Sequence, residues 1–459
     1  MIWQIVYRRS PLFWLGFHAI LGVLSTVTPW LLIVWFYFVL VTSLPRLITK
    51  TDGSFVPLLF IIAYITSFEL LARMSITSPY IPYELGKYIF FLLLTFGILK
   101  GFRRGLLGWA MLLLLLPSAF FDFAGETTFK SIVFDLVGPI NVALAVVFFR
   151  GQELKRDDFI PAMRLLLYPL ISVLAFTIIK TPDLEKVEFT LGANFDTAGG
   201  FGTNQVSTAL GLGAFLVFLF WYNRWALTGF MWLDILLFIL FVFRGLLTFS
   251  RGGMIGGAFG VIVLMAFQVR PVAESFYKLK PVKTVFATLS ILLVMAFTFI
   301  YADKITEGKL ALRYQGETPG TLAGRKEKTL NVITSNRIQI ASDDLQLWKK
   351  YPVFGSGVGS SRYLRERTEG FLSHIEFSRL LSEHGVLGLF YIFLLLAVGY
   401  NIYRARKQVP YGGILASLYV IALFTTFHAA MRTYISPLLF GFSMLAIAYP
   451  DSMVDEGQT

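Results

Sequence analysis

Apolar residues in this chain gather in blocks of about 15–20, divided by short polar segments. Blocks of that length predict helices that satisfy their own backbone hydrogen bonds in lipid. They lie near 12–27, 30–44, 56–72, 87–100, 105–122, 132–149, 163–180, 204–223, 228–247, 253–268, 284–301, 386–403, 411–428 and 433–449. The first, second and fourth are short enough to be half-spans or a helical hairpin, which makes the range twelve to fourteen spans. One interval breaks the pattern. Residues 302–385 form a long polar segment whose apolar content is too low for a core of its own, and they are expected to lay a few helices over one face of the bundle. The fold class is therefore an all-α polytopic membrane protein with one large helical loop. Its parts are a transmembrane bundle at 1–301, the loop at 302–385, C-terminal spans at 386–450 and a polar tail at 451–459.

Composition supports this reading. Of 459 residues, 56% are hydrophobic and 15% charged, against roughly 45–50% and 25% in soluble domains. Mean hydropathy is +0.69. Arg8 and Arg9 precede the first block without a convincing cleavage site, so the first span is expected to be retained. The net charge of +12 would suggest nucleic acid in a soluble protein. Here the basic residues concentrate in alternate short loops, such as Arg103–Arg104, Lys278, Lys280 and Lys283, and Arg404, Arg406 and Lys407. That alternation orients the spans with these loops cytoplasmic, puts 302–385 outside, and removes nucleic acid as a partner. Cysteine is absent, which excludes thiolate chemistry and disulfides. No Walker loop is present, so ATP is not the energy source.

Candidate chemistry lies mostly in the outer loop. His374 stands in Ser373-His374-Ile375-Glu376, which fits a capping box with His374 at the first helical position and a helix stop at Gly385. A helix N-terminus disfavours imidazolium, so His374 is expected to be neutral and able to accept a proton from a hydroxyl, unless it is simply a surface histidine. His384, His18 and His428 are expected to have structural or packing roles. Arg251, between two spans in TFSRGGMIGG, is an ionisable residue at a span end and functional by default. Arg337 opens the amphipathic stretch RIQIASDDLQLW. Arginine suits phosphate because its fork binds oxygens in pairs. Arg362 leads a run with Arg365 and Arg367 that either meets a substrate anion, binds lipid headgroups, or pairs with Glu366 and Glu369. The turn containing Gly355 and Gly357 could cradle phosphate through its amides, but it has no dinucleotide spacing. Asp122 with Glu126, or Asp343 with Asp344, could hold a metal. No further ligand stands at the right spacing, so neither metal nor other cofactor is expected.

The run Arg337…Tyr351-Pro352-Val353-Phe354-Gly355-Ser356-Gly357…His374…Leu380-Leu381-Ser382-Glu383-His384-Gly385-Val386-Leu387-Gly388 resembles the O-antigen ligase and Wzy-type O-antigen polymerase superfamily. Gly202-Thr203-Asn204 opening a span, and Ser250-Arg251-Gly252 between two spans, look like the same family. The resemblance covers roughly 200–400, and one departure is Ile375 where the family usually has asparagine. It implies a GT-C-like, metal-independent glycosyltransferase of the bacterial inner membrane with its site facing the periplasm. The donor would be a glycan on undecaprenyl diphosphate, whose leaving group supplies the driving force. Arg251 and Arg337 would hold the diphosphate and His374 would activate the acceptor hydroxyl for inverting attack. Asn204, Arg362, Gly355 and Gly357 would contact substrate. A polysaccharide polymerase is the leading expectation. A ligase to lipid A-core and a protein O-oligosaccharyltransferase are the alternatives within the fold. A transporter of lipid-linked sugars is the alternative outside it, but paired broken spans are not evident.

Overall fold

A computed structural model of the chain describes residues 9–49, 53–267, 281–406 and 411–448, with the single positions 2, 5 and 409. Arg8, Lys50, Arg270, Lys278, Lys280, Lys407 and the tail 451–459 lie outside the described residues. The chain begins with α1 (Pro11–Leu24), where the Ser10 hydroxyl caps Phe13 N and Pro11 takes the first helical position. Next come α2 (Trp30–Thr49), α3 (Val56–Thr66), α4 (Glu69–Met74), α5 (Leu85–Leu99) and α6 (Leu106–Leu115). Following these are α7 (Phe129–Phe149), opened by a capping box of Thr128 and Ser131, then β1 (Glu153–Lys155) and α8 (Arg156–Lys180). The second half holds α9 (Thr203–Tyr222), α10 (Met231–Leu247), α11 (Arg251–Phe267) and α12 (Pro281–Ile305). The long polar segment contributes α13 (Lys309–Tyr314), α14 (Pro319–Leu322), α15 (Leu330–Ile333), α16 (Arg337–Lys350) and α17 (Ser361–Leu364). The chain closes with α18 (Glu376–Ala405), α19 (Gly412–His428), α20 (Ile435–Ser443) and β2 (Ala446–Ala448).

Each apolar block is helical in whole or in part, and the protein is an all-α polytopic membrane protein. Five helical stretches are long and apolar enough to cross a membrane by length and composition: Val56–Met74, Phe129–Phe149, Arg156–Lys180, Thr203–Tyr222 and Glu376–Ala405. Two blocks are shorter than expected. The block at 105–122 breaks before Pro117, which has no N–H to continue the helix, and resumes as a 3-10 turn, Pro117–Phe120. The block at 433–449 is helical only to Ser443, then pairs as β2, parallel to β1, with Glu153 opposite Ala446. That strand pair was not expected from the sequence.

Burial separates core helices from lipid-facing ones. α3, α8 and α9 are buried nearly all round, as apolar helices without a polar face should be. α1, α2 and α18 expose one apolar stripe each, among them Phe13 and Ile20, Val34 and Val41, and Phe390 and Phe393. α11 is the pivot of the second half. Its glycines allow backbone contact that no larger residue permits: a Cβ on Gly253 would stand 2.2 Å from Ser207 C, and one on Gly257 2.6 Å from Gly211 O. On its other flank a Cβ on Gly252 would meet the His428 ring at 2.5 Å. α11 therefore lies tightly between α9 and α19, and the first turns of α9 and α11 are brought together.

The expected helix stop at Gly385 is present as a break inside α18, with Gly385 at φ 61°. A Cβ there would meet Val353 O at 2.5 Å, so glycine is required both by the dihedral and by the close approach.

Candidate functional site

The predicted outer loops meet at one end of the bundle. Ser250 Oγ donates to Asn204 Oδ1 (2.8 Å) and accepts from Ser207 Oγ (3.0 Å), fixing the amide of Asn204 at the start of α9 beside the start of α11. The next residue, Arg251, reaches across to the loop helices. Its Nη1 donates to Arg313 O (3.0 Å) and its Nη2 to Ile333 O. It thus ties α11 to α13 and to the turn that launches α16 at Arg337. Arg313 Nη2 in turn donates to Ser335 Oγ at 3.4 Å. On the far side, Arg432 donates to Ser373 O and holds the backbone next to His374.

Four arginines and His374 therefore share one neighbourhood. Burial is the largest influence on each of Arg313, Arg337 and Arg432 and lowers its pKa. Arg251 adds to the effect at Arg313 and Arg337, and Arg313 is brought down to about 10, still charged at neutral pH. Among the described residues, none of Arg251, Arg313 and Arg337 has a carboxylate partner, and no hydrogen bond reaches the Arg337 side chain. Close guanidinium groups without a counter-charge make an anion site. His374 is half-buried, and neither ring nitrogen has a protein partner among the described residues. Its pKa is lowered to about 4, first by burial and then by Arg432, Arg337 and His428. The imidazole is neutral at pH 7 and free to accept a proton.

Backbone strain marks the same place. Phe249, Asn336 and Ala430 adopt left-handed φ of 56°, 63° and 54°, and stand one or two residues before Arg251, Arg337 and Arg432. Such positions cost of order 1–3 kcal/mol each and persist where surrounding packing enforces them. Phe249, for instance, is 1% exposed and stacked on Phe189. Next to the arginines, Tyr314 borders an apolar cavity of about 270 Å³ between α9, α10, α11 and α12, with Gly211, Phe238, Met254 and Phe299 on its walls. Burial pushes the Tyr314 hydroxyl up to about 12.

Several sequence-based expectations need correction. No capping box forms at His374. α18 starts at Glu376 with Ile375 as its N-cap, and the Ser373 hydroxyl instead accepts from Ile375 N and contacts Asp344. The neutrality of His374 comes from burial and nearby cations, not from the helix end. Gly355 and Gly357 do adopt left-handed φ (74° and 95°), but their turn is not an open cradle. Ser356 N donates to Ser382 O, Gly357 N to Glu383 O and Val358 N to Ser118 O. The turn locks the break at Gly385 in place. Arg362 sits 3.6 Å from Asp135, Arg365 2.7 Å from Asp344 and Arg367 2.6 Å from Asp343. These partners, not Glu366 and Glu369, engage the run, with Arg362 held more loosely than the other two. Asp344 is fully buried and also accepts from Ser373, Ser378 and Ser382, so it joins α16 to α18 beneath His374. Both candidate metal pairs have internal partners as well, since Asp122 accepts from Ala124 N, Gly125 N, Thr127 N and Ser360 Oγ. No group of three or more metal-ligating side chains occurs among the described residues.

His18, His384 and His428, expected to have structural or packing roles, are all buried and hydrogen-bonded. His18 bonds Ser172 and Tyr64, His384 bonds Ser118, and His428 bonds Thr208 and Phe424 O. Arg313 and Arg432 were not singled out from the sequence. Arg432 carried a usable signal, an arginine at a span end, the same one that identified Arg251. Arg313 carried none, because it lies in a loop with other cations.

Residues 235–393 match the family described as O-antigen ligase. The matched stretch runs from within α10 to within α18 and contains Arg251, Arg313, Arg337 and His374. Asn204 and Arg432 fall on either side of it. No curated protein matches the chain.

Proposed function

We propose, from the match of residues 235–393 to the family described as O-antigen ligase, that this chain is an inverting membrane glycosyltransferase acting on a glycan carried by a lipid diphosphate. The observation that carries the reading is the cluster of Arg251, Arg313 and Arg337 at one end of the bundle, where Arg337 and Arg432 act on a neutral His374 whose ring has no hydrogen-bond partner among the described residues. A dianionic diphosphate satisfies the guanidinium groups that have no carboxylate among the described residues, and the apolar cavity ending at Tyr314 suits the attached lipid, undecaprenyl in the reading favoured here. His374 takes the proton of the acceptor hydroxyl as its oxygen bonds to the anomeric carbon. The bond from that carbon to the diphosphate oxygen breaks, and its electron pair leaves with the diphosphate, where Arg337 and Arg251 stabilise the new charge. Asn204, bonded to Ser250 through Oδ1, offers its amide N–H groups at the rim. The site would face the periplasm from the bacterial inner membrane, on the orientation that the basic loops favour.

The acceptor we favour is a second lipid-linked repeat unit, which makes the protein a polysaccharide polymerase. Transfer to lipid A-core is the second reading, favoured by the ligase description of the matched family. Purified protein in vesicles with the host's own diphospholipid-linked glycan tests both. His374→Ala should lower transfer by about 10²–10⁴-fold and Arg337→Ala by about 10²–10³-fold. Transfer unaffected by both changes would sink the enzyme reading. Chain growth from the lipid-linked unit alone means polymerase, whereas product only after lipid A-core is added means ligase.

A further inference from the structure

Outside the arginine cluster, the same end of the molecule carries two pairs of aromatic rings, Trp30–Tyr80 and Tyr83–Phe201, joined into a strip by the short chain segment 80–83. Trp30, Tyr80 and Tyr83 are 52%, 52% and 53% exposed. Trp30 and Tyr80 lie 4.7 Å apart, and Tyr83 leads on to Phe201 at 6.4 Å. Two features distinguish this strip from aromatic residues that merely sit at a membrane interface. First, it is clamped from beneath. Arg73, 6% exposed, donates to Tyr83 O (2.7 Å), lies 4.6 Å from the Tyr83 ring and pairs with buried Glu69. Second, it runs into the site. The same guanidinium donates to Gln205 Oε1 (3.0 Å), and Gln205 follows Asn204. Neighbouring residues on a helix project about 100° apart, so Asn204 turns toward Ser250 and Arg251 while Gln205 turns toward the strip.

We propose that the strip of Trp30, Tyr80, Tyr83 and Phe201 is a saccharide subsite that holds the acceptor glycan behind its reacting hydroxyl. The ring faces are electron-rich and attract the weakly positive C–H groups of a pyranose, whose hydroxyls stay in water at the half-open edge. Inverting attack requires the acceptor to approach from the side opposite the diphosphate. The arginines come from α11, α13, α16 and the turn after α19, whereas the strip comes from α2 and the loops before α5 and α9, with the first turn of α9 between them. The assignment of the acceptor, as opposed to saccharide binding itself, rests on the glycosyltransferase reading above.

The probe is the oligosaccharide released by mild acid from the host's own diphospholipid-linked glycan, offered as soluble acceptor to the full-length protein in vesicles. Trp30→Ala and Tyr83→Ala should each raise the KM for this acceptor about tenfold. The donor KM and kcat should stay within a factor of about two, a split smaller than the tenfold that 1.4 kcal/mol gives. Trp30→Phe and Tyr83→Phe should restore most of the loss. Saturation-transfer NMR of the same oligosaccharide should lose its signal in the alanine variants, and this arm reads binding whether or not transfer occurs. An unchanged acceptor KM with unchanged NMR signal overturns the subsite and leaves the rings as interface anchors. A rise in donor KM alone overturns the acceptor assignment. If His374→Ala and Arg337→Ala transfer normally while the NMR signal still depends on Trp30 and Tyr83, the enzyme reading fails and the saccharide subsite stands.

Discussion

In the proposed mechanism, His374 depends on what surrounds it. Burial and the charges of Arg432 and Arg337 hold it neutral down to about pH 4. A base that weak would be a poor catalyst in isolation. A bound diphosphate changes the balance, because its charge offsets the two arginines and raises the histidine toward the working pH. The consequence is a difference between two pH profiles. In the free protein the acid limb of kcat/KM should fall near pH 4, well below the 6.5 of an ordinary histidine. The limb of kcat, which reports the complex, should lie at higher pH. Coincident limbs near 6.5 would show that His374 is not the titrating base. The sign for stability is also fixed. The folded pKa lies below the unfolded value, so this group's contribution is complete above 6.5 and is lost as the pH falls from 6.5 toward about 4, where the unfolded chain takes the proton first.

At the scale of elements, the site depends on how closely α11 lies against α9. Gly253 faces the backbone of Ser207 and Thr208 with no room for a Cβ. That contact sets Asn204 beside Ser250, so a steric change a turn into the helix should reach the chemistry. Gly253→Val should destabilise the protein by about 1–3 kcal/mol through overpacking. It should also separate the Asn204–Ser250 pair and lower transfer, although residue 253 would touch no substrate. Thermal unfolding in detergent and a transfer assay check this together. A variant of unchanged stability and activity would mean that α9 and α11 tolerate separation. The polar loop is held by a similar economy of contacts: Asp344 on α16 gathers Arg365, Ser373 and Ser378, so the loop is anchored to α18 directly beneath the histidine.

At the scale of the whole molecule, the two ends differ in kind. One collects the arginines, His374 and the aromatic strip. The other carries the β1–β2 pair and bonds such as Arg104 to Gly151 O and Arg164 to Ala226 O. The absence of native cysteine makes the orientation directly testable. Leu330, 71% exposed on the loop, and Arg103, exposed at the opposite end, are suitable single positions. In intact spheroplasts an impermeant maleimide should label Leu330→Cys and reach Arg103→Cys only after permeabilisation. The reverse pattern would invert the topology and move the site to the cytoplasm.

Hydrophobic periodicity by itself determined the helical architecture, because lipid leaves an apolar segment few ways to satisfy its backbone. Arg251 stood out as an ionisable residue at a span end, Arg337 at the opening of an amphipathic stretch, and His374 in the polar loop, although the helix there starts at Glu376 and not at the histidine. Asn204 stood out only through the resemblance of Gly202-Thr203-Asn204 to the family. What the sequence could not decide was which charges have partners. Arg362, Arg365 and Arg367 lie close together in the chain, yet each pairs with an aspartate from another element, Asp135, Asp344 and Asp343 in turn. Arg313 and Arg337 look no different in sequence, yet neither has a carboxylate partner among the described residues. Ion pairing is a long-range property, fixed only when the α11 glycines and the break at Gly385 bring distant segments together. Tertiary structure alone therefore separated the arginines that hold the loop from those that can hold a ligand.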